Sequence, residues 1–421
     1  MDNKREIAVI GAGIIGINCA LALQSKGYQV TLFDKNGIAA GCSKANAGHF
    51  ATEQVFPLAN KSLLWQLPKM LLDPLGPVAL DPKYLFKAAP WFLKFIANMS
   101  ATKQRQNISA LQSLNKQAID DYRPILKEAN AEHLLVSKGS LLVFEQTPVI
   151  EIKKQLQQFK QAGIGVELLN KEQLTVLEPN LSEQVQYALY FTDVGHTGSP
   201  FQICTTLANL SFSKGTTFLP HQVTNILFNK NKITIESTEQ SADFDDVVIA
   251  SGAWSKALLQ PLGYNLPIEA ERGYSLDLTN TEIEPELTRP VASAERKFIM
   301  TPMSHGLRLS GTAEFAGLEA KANMQRADLL YQHANKMLKQ LPSFEQKNAQ
   351  DSQRWMGCRP SLPDSLPVIC QAPKHKNLFL ALGHQHLGLT LGATTGKLVA
   401  QLIQKEQPDI DLAPFCISRF N

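Results

Sequence analysis

The beginning of the chain combines short apolar runs with a helical pattern. Residues 7–10 form a β-branched apolar run of the length expected for a buried parallel strand. Apolar side chains then recur every three or four positions from 14 to 23, as in a helix that covers a sheet. A second apolar run follows at 30–33. This pattern predicts a strand, a helix and a second, parallel strand.

The rest of the chain shows the same two periodicities. Apolar runs and alternation predict strands at 139–144, 166–169, 187–191, 223–228, 232–237, 247–250, 274–278, 297–302, 307–315 and 377–382. Spacing of three or four predicts helices at 105–130, 148–162, 200–214 and 326–340, and one more after 388. Residues 174–179 are predicted to form a turn.

A small-residue turn, Ser251-Gly252-Ala253, follows the strand predicted at 247–250. In open α/β sheets, ligands bind at the carboxyl ends of strands. Because a similar turn follows the first strand, we expect a nucleotide-binding domain that is discontinuous in sequence. The predicted fold class is α/β, a Rossmann-type domain with an inserted α+β, mixed-sheet substrate domain. The predicted limits are 1–54, 198–265 and 365–421 for the first domain, and 55–197 and 266–364 for the second.

The composition is that of a globular protein with two domains. The chain has 421 residues, of which 44% are hydrophobic and 19% are charged. A net charge of +3, without a basic cluster, argues against nucleic acid as a partner. Six scattered cysteines predict neither a disulfide framework nor a metal site. The first strand begins too early to leave room for a signal peptide, so we expect a cytoplasmic protein.

Residues 55–99 are apolar but contain six prolines, and no run reaches the roughly 18 residues that span a membrane. Short helices packed as a cap are the first interpretation. The alternative is a patch that rests in a membrane interface on the inner face of the cell membrane. Residues 63–72, LLWQLPKMLL, combine aliphatic side chains, Trp and Lys in the manner this needs.

The turn after the first strand carries Gly11, Gly13 and Gly16 in the spacing G-x-G-x-x-G. The first glycine permits a tight turn, the second lets backbone approach a pyrophosphate, and the third lets helix and strand pack closely. The helix N-terminus offers free N–H groups to the phosphates. Asp34, at the end of the second strand, is placed to bind ribose hydroxyls and disfavours NADP. The motif predicts a dinucleotide and does not distinguish NAD from FAD.

The chain resembles the D-amino-acid oxidase-like FAD-dependent oxidoreductases in four segments taken in order. These are GAGIIG with Asp34, GCSKANAG, SGAWS, and WMGCRPSLPDSLPV with GHQHLGLTLGATTGKL. Within that family it is most similar to the bacterial D-amino-acid dehydrogenases, including those that oxidise D-hydroxyproline. Glycine and sarcosine oxidases are the next nearest group. The resemblance implies non-covalent FAD, two domains, and oxidation of an amine on an α-carbon.

The resemblance also implies which positions contact FAD. At the adenosine diphosphate they are Gly11, Gly13, Ile14, Ile15, Gly16, Asp34 and Lys35. Beside the pyrophosphate and flavin they are Cys42, Ser43, Asn46, Ala47 and Gly48, although residues 35–54 alone could equally be a surface loop. On the adenine side they are Val223, Ser251, Gly252 and Trp254. At the pyrimidine end of the flavin they are Gly383, His384, Leu387, Gly388, Leu389 and Thr390, in a loop whose free N–H groups would stabilise charge on a reduced flavin.

A substrate carboxylate is best held by a guanidinium, whose planar fork matches it. Arg359, in GCRPSLPD, matches the family's carboxylate-binding arginine and is the first candidate. Arg308 and Arg272 are lesser candidates. The chain departs from several oxidases of the family in having residues 301–303, Thr-Pro-Met, where they have a Pro-Arg pair. A clamp with two arginines is therefore in doubt.

His49 and Tyr274 complete the predicted catalytic set. His49 follows the flavin loop and could take a proton from the substrate amine, or be a packed histidine; the sequence leaves both readings equal. Tyr274 is a candidate partner for the substrate carboxylate, with a half-buried strand tyrosine slightly favoured. No metal is predicted, since His384 and His386 lack further ligands. A covalent flavin at Cys358 is rejected because its register differs from that of the sarcosine oxidases.

The resulting hypothesis is an FAD-dependent D-amino-acid dehydrogenase. Hydride passes from the substrate α-carbon to flavin N5, an imine forms, and the electrons leave to a quinone or another carrier. One rival is a glycine- or sarcosine-type oxidase that uses oxygen, and another is an NAD-dependent dehydrogenase. A third, from another class, is a membrane-docking or partner-binding flavoprotein whose flavin is structural.

Overall fold

The computed structural model of the protein describes residues 4–59, 73–230, 232–279, 286–341 and 353–420. In chain order its strands are β1 Glu6–Ile10, β2 Gln29–Phe33, β3 His49–Phe50, β4 Val78–Leu80, β5 Ser140–Phe144, β6 Val166–Asn170, β7 Tyr187–Phe191, β8 Gly195–His196, β9 Thr217–Leu219, β10 Val223–Phe228, β11 Ile233–Ser237, β12 Ser241–Phe244, β13 Asp246–Ile249, β14 Glu269–Thr279, β15 Val291–Ser293, β16 Phe298–Met303, β17 Gly306–Phe315, β18 Arg354–Ser361, β19 Val368–Gln371 and β20 Leu378–Leu382. The helices are α1 Ile14–Ser25, α2 Leu85–Ala97, α3 Ala101–Asn115, α4 Ala118–Glu128, α5 Val149–Gln161, α6 Lys171–Leu177, α7 Pro200–Ser213, α8 Ser255–Leu259, α9 Gln325–Met337 and α10 Gly388–Gln404.

A six-stranded sheet in the order β19-β20-β13-β1-β2-β9 carries the cofactor motifs. Strand β1 lies between β2 and β13, is parallel to both, and pairs Val9 with Leu32 and with Val248. Only β19 runs antiparallel to its neighbour. Ile7, Ala8 and Val9 are fully buried, because helices cover one face of this parallel sheet and strands β10, β11 and β12 cover the other. The predicted α/β fold class is confirmed.

Helices α1 and α10 pack side by side on this sheet. Gly396 lies directly against the backbone carbonyl of Asn18, which brings the two helix axes close together. Both helices begin at the carboxyl edge of the sheet, because each follows a parallel strand, β1 or β20. Two helix N-termini therefore meet at that edge, where a ligand is expected in open α/β sheets.

A second, nine-stranded mixed sheet has the order β18-β14-β17-β16-β15-β5-β7-β6, with β4 paired to β17. Its long strand β14 pairs antiparallel with β17 on one side and with β18 on the other. Helix α9 packs on this sheet, with Leu330 in a cluster that includes Leu276 and Leu309. Strands β10, β11 and β12 form a separate three-stranded sheet. The division of the chain into two domains at the limits given above stays a prediction.

Two predicted elements were wrong. The single helix over 105–130 is two helices, α3 and α4, separated at 116–117. Asn115 is the last residue of the first, and its buried side chain donates to the carbonyls of Thr52 and Gln54. The turn over 174–179 is largely helix α6, which starts with a capping box between Asn170 and Gln173. That box was readable from the sequence as N-K-E-Q.

The segment after residue 72 has the character of a packed cap over part of its length. Trp91, on α2, stacks on Phe95 and contacts Phe315 of β17. No helix in the described ranges is long and apolar enough to cross a membrane. Residues 63–72, which carry the predicted interfacial patch, lie outside the described residues.

Candidate active site

The turn between β1 and α1 requires glycine at two of the three predicted positions. Gly11 has a φ of +108°, and a Cβ there would lie 2.5 Å from the carbonyl oxygen of Ala250. A Cβ on Gly16 would overlap the carbonyl oxygen of Gly11. The helix can therefore start directly against the strand only with these residues, which brings its free N–H groups to the edge of the sheet.

Two side chains fix the backbone around this corner. Ser43 Oγ accepts a hydrogen bond from the N–H of Ile14 (3.0 Å), which ties the loop after β2 to the start of α1. Asp34 accepts from the N–H of Ala12 and from that of Asn36, both at 2.9 Å. A carboxylate has about four acceptor positions, so Asp34 retains capacity for ribose hydroxyls.

A cleft extends from Asp34 and Lys35 at one end to the loop before α10 at the other. Most of the predicted cofactor residues line it: Gly11, Gly13, Ile14, Ile15, Asp34, Lys35, Cys42, Ser43, Asn46, Val223, Ser251, Gly252, Trp254, Gly383, His384, Gly388 and Leu389. The remaining predicted residues lie behind the walls of the cleft. Gly16 packs on Gly11, and Thr390 accepts a hydrogen bond from the N–H of Ala51. Gly48 and Leu387 are buried, and Ala47 is half-buried.

The cleft has the features that a flavin dinucleotide needs. Backbone N–H groups of two helix starts and an acidic ribose partner surround one continuous space. Gln385, which lines the cleft, has a buried Oε1 without a hydrogen-bond partner among the described residues, as expected for an acceptor that awaits a ligand N–H. Burial lowers the pKa of His384 to about 3, so that this ring stays neutral; its Nε2 bonds to Thr395 Oγ1 at 2.9 Å.

Arg359 belongs to β18, which borders the cleft, but its side chain does not line the cleft. Its neighbours Cys358 and Pro360 line the cleft, and successive side chains of a strand point in opposite directions. Nη1 of Arg359 donates to Glu271 Oε1 (2.8 Å) and to the carbonyl of Thr312 (3.2 Å). The guanidinium lies flat against Gly273, where any side chain would overlap it.

The niche for this guanidinium comes from a bulge in the second sheet. The register between β14 and β17 shifts opposite Gly273, so that β17 has one extra residue there. Thr312, in the bulge, has a φ of +58°, a conformation that a β-branched residue rarely adopts. This conformation turns the Thr312 carbonyl toward Arg359. Strained backbone of this kind is concentrated at functional sites.

The two lesser arginine candidates form several hydrogen bonds within the protein itself, which leaves them as weaker candidates than Arg359. Arg308 donates to both oxygens of Asp277 (2.6 and 2.7 Å) and to the carbonyl of Asn46 (2.8 Å). Arg272 is fully buried and donates to the carbonyls of Gly317, Ala320 and Lys321. Arg308 therefore positions the flavin loop, and Arg272 holds a surface loop in place.

Tyr274 is placed differently from what its predicted role needs. Its hydroxyl donates to Glu314 Oε2 at 2.6 Å and accepts from the N–H of Asn323. Burial raises the pKa of Tyr274 to about 12, and the bond to Glu314 acts in the same direction. The hydroxyl has a single hydrogen, which it already donates to Glu314. Tyr274 can therefore donate to a substrate carboxylate only if its hydrogen bond to Glu314 breaks.

His49, in strand β3, faces a buried carboxylate. Its Nε2 lies 3.5 Å from Oε1 of Glu53, and its side chain is 11% exposed. Burial lowers the pKa of His49 to about 4, so the ring is neutral at pH 7 and able to accept a proton. Burial lowers the pKa of His386 to about 4 as well; Arg359 and His49 act in the same direction, whereas Glu271 raises this pKa. We call the region formed by His49, Glu53, Glu271, Gly273, Thr312, Arg359 and His386 the substrate side.

The match of residues 6–402 to the family model described as FAD dependent oxidoreductase decides the affiliation. The chain belongs to this family. The D-amino-acid oxidase of Bradyrhizobium diazoefficiens is 33% identical over 424 residues, with 100% of each chain covered. A D-amino acid dehydrogenase of Vibrio vulnificus is 27% identical, covering 95% of this chain and 96% of the relative. The solved glycine oxidase from Geobacillus kaustophilus has a TM-score of 0.77 at 21% identity, with 99% of both chains covered, and supports the fold.

This FAD-dependent oxidoreductase is an enzyme, and FAD is its cofactor, as predicted. Family membership favours FAD over the NAD alternative. A non-covalent flavin stays a prediction, and burial raises the pKa of the Cys42 and Cys358 thiols, which disfavours their nucleophilic forms. Among the described residues no group of three or more His, Cys, Asp or Glu side chains is arranged to hold a metal.

The sequence did not single out several residues of this oxidoreductase that complete the site. Glu271 and Gly273 are two apart on β14 and face Arg359, a relation that the period of a strand could have revealed once its pairing was known. Glu53 follows His49 by four residues, but no helix is present to suggest their contact. For Thr312 the sequence contains no signal, because its conformation depends on the bulge.

Proposed function

We propose that the protein oxidises a D-amino acid to an imine, which water hydrolyses to a 2-oxo acid. D-Proline and D-hydroxyproline are candidate substrates. Bound FAD supplies the two-electron acceptor, taking the substrate α-hydrogen as hydride at flavin N5. The names of the two curated relatives support an amino acid as substrate.

The free edge of Arg359 is the observation that carries the proposal. Within the described ranges only its Nη1 forms hydrogen bonds, and the side chain is 24% exposed. Nε and Nη2 together form the planar edge that binds a carboxylate through two parallel bonds. Glu271, which also accepts from Ser361 Oγ, holds the guanidinium in orientation without using that edge.

His49 supports the second requirement, removal of a proton from the substrate. An amino acid reaches the enzyme as an ammonium ion, and the nitrogen lone pair must be free before the α-carbon can lose hydride. The neutral imidazole of His49 can accept that proton because the Glu53 carboxylate, 3.5 Å from Nε2, stabilises the imidazolium that forms. Both Arg359 and His49 lower the pKa of His386, and their common nearness to this ring supports a single site for the two proposed roles.

Anaerobic bleaching of the bound flavin tests the substrate class. The panel contains D- and L-amino acids, D-proline, D-hydroxyproline, glycine and sarcosine, with pyrrolidine as the matched amine that lacks a carboxylate. We expect rapid bleaching by D-amino acids and none by pyrrolidine. Preferential bleaching by L-amino acids, by sarcosine or by pyrrolidine contradicts the proposal.

We propose a quinone or another carrier, rather than oxygen, as electron acceptor. A relative that is named an oxidase favours oxygen as the second candidate. Stopped-flow reoxidation of the substrate-reduced enzyme separates the two. Fast reoxidation by a soluble quinone and slow reoxidation in air support the carrier, whereas the reverse order of rates assigns the enzyme to the oxidases.

We further propose a peripheral contact with an anionic membrane, through helix α2. Four large apolar side chains of this helix are exposed: Leu85, Phe86, Leu93 and Ile96. Three lysines accompany them: Lys83, Lys87 and Lys94. Exposed apolar side chains with flanking lysines suit an anionic bilayer surface.

Vesicle flotation tests this contact. The wild-type protein should float with vesicles that contain phosphatidylglycerol and less with purely zwitterionic vesicles. Phe86→Glu combined with Leu93→Glu should abolish flotation. Val176→Glu is the control, because Val176 is an equally exposed apolar residue (84%) on a different helix, α6. Equal flotation of the double variant and the wild type contradicts membrane contact through α2.

A further inference from the structure

Glu53 is a buried carboxylate whose second oxygen has no hydrogen-bond partner among the described residues. Its side chain is 3% exposed. Oε1 lies 3.5 Å from His49 Nε2 and 3.4 Å from the side-chain nitrogen of Gln54. Neither Oε2 of Glu53 nor Nε2 of His49 forms a hydrogen bond with any described residue. Buried polar atoms are normally hydrogen-bonded, and exceptions point to catalytic roles or to bound water.

Glu53 also lines a second cavity, of about 610 Å³, that shares no lining residue with the cofactor cleft. Its walls come from α3, α4 and the loops at 162–165 and 192–194. Gln112, Asn115 and Thr192 add polar side chains, and the volume is large enough for several water molecules. Glu53 thus separates this cavity from His49.

We propose that Glu53 carries the substrate proton from His49 to the second cavity. This inference rests on the proposed function. The substrate ammonium gives one proton to the neutral ring of His49, and the imidazolium passes a proton from Nε2 to the Glu53 carboxylate. Glu53 then releases that proton to water in the cavity. The products are a neutral amine, which can lose hydride, and Glu53 restored as carboxylate.

The groups around the pair are compatible with this transfer. His196 pairs with His49 across β3 and β8, and burial lowers its pKa to about 4, so it adds no charge near pH 7. The charged residues of the cavity wall include both signs: Lys116, Asp120, Arg123 and Asp193. Burial raises the pKa of Glu53 to about 7, and both of its protonation states are therefore populated at neutral pH.

The kinetic test compares Glu53→Gln with the wild type in the anaerobic reductive half-reaction between pH 6 and 9. The wild type should show a rate that rises through a pKa near 7. In Glu53→Gln this rise of the rate with pH should be absent, and the rate at pH 8 should fall roughly 10- to 100-fold. Glu53→Asp, which keeps a carboxylate, should show part of this rise. Asp120→Asn, on the wall of the same cavity and with its side chain 80% exposed, is the matched control and should retain the wild-type profile.

A second readout does not depend on turnover. Infrared spectra of the resting holoenzyme with ¹³C-labelled glutamate should show one buried carboxyl group that deprotonates near pH 7 and is absent from Glu53→Gln. A wild-type pH–rate profile in Glu53→Gln, or no such carboxyl in the wild type, overturns the assignment. If no amino acid reduces the flavin, the proposed function fails, while the infrared titration still reports on Glu53 separately.

Discussion

The cofactor corner and the substrate side use different parts of the polypeptide. At the corner, Gly11 and Gly16 let a helix begin directly against a strand, and backbone N–H groups face the cleft. On the substrate side, Arg359, Glu271 and Thr312 come from three different strands of the second sheet, and Arg359 donates to the Glu271 carboxylate and to the Thr312 carbonyl. The geometry of the corner therefore depends on the absence of side chains at two positions, whereas that of the substrate side depends on the register between strands.

The largest effect is expected at the corner. Gly16→Ala places a methyl group on the carbonyl of Gly11, which forces helix α1 away from β1. We expect overpacking to cost about 1–3 kcal/mol of stability or more, and bound FAD to be lost. The measurement is the flavin absorbance per protein after purification. Gly27→Ala, after the other end of α1, is the control, since a Cβ there meets no atom within 4 Å and the residue does not line the cleft. A Gly16→Ala protein with full FAD content contradicts this account of the corner.

The substrate side should also be the more pH-sensitive region, through Glu53. Its pKa is raised by burial to about 7, from an ordinary value near 4.5. Between these values the native protein binds more protons than the unfolded chain, so this contribution to stability is complete below pH 4.5 and is lost as the pH rises through 7. Relative to Glu53→Gln, the wild type should lose about 3 kcal/mol between pH 4 and 8.

Denaturant unfolding of the two proteins across this range measures the difference. The buried histidines titrate with the opposite sign, but they are common to both proteins. A stability difference that is independent of pH shows that Glu53 keeps its ordinary pKa in the folded protein.

A smaller effect is expected at Gly273, the position on the substrate side that most resembles the corner. Gly273→Ala places a methyl group against the guanidinium of Arg359. The side chain of Arg359 should move rather than the backbone, because it is flexible. We expect kcat/KM to fall roughly 10- to 100-fold, from about 1–3 kcal/mol of lost binding, while FAD content is unchanged. An unchanged KM indicates that the orientation of Arg359 does not matter for binding.

The sequence predicts the corner well because every part of it lies within one short stretch. The spacing of Gly11, Gly13 and Gly16 and the acid at position 34 reflect local geometry, and the structure places them in that geometry. Arg359 could be named only by its resemblance to a family motif. Its partners Glu271 and Thr312 depend on the pairing of β14 with β17 and β18, which periodicity does not specify.

The roles of Arg308 and Arg272 show the same limit. Arg308 lies in the strand predicted at 307–315, and Arg272 lies just before the one predicted at 274–278, yet both donate to other groups of the protein. Asp277 and several backbone carbonyls accept the hydrogen bonds of these two arginines. Tertiary contacts bring the donors and acceptors together, so the sequence pattern does not reveal them. Residue type alone does not rank these arginines, and the hydrogen-bond partners make Arg359 the strongest candidate.

The most direct test of the account is the KM of Arg359→Ala for the best D-amino acid from the anaerobic panel. Because the change leaves Glu271 unpaired, Arg359→Ala with Glu271→Gln is measured beside it, and Arg123→Ala serves as the control for loss of an exposed arginine. We predict full FAD content and a roughly 100- to 1,000-fold loss of kcat/KM, carried by KM, in both Arg359 variants. Wild-type KM in these variants, with FAD bound, would contradict the claim that Arg359 holds the substrate carboxylate.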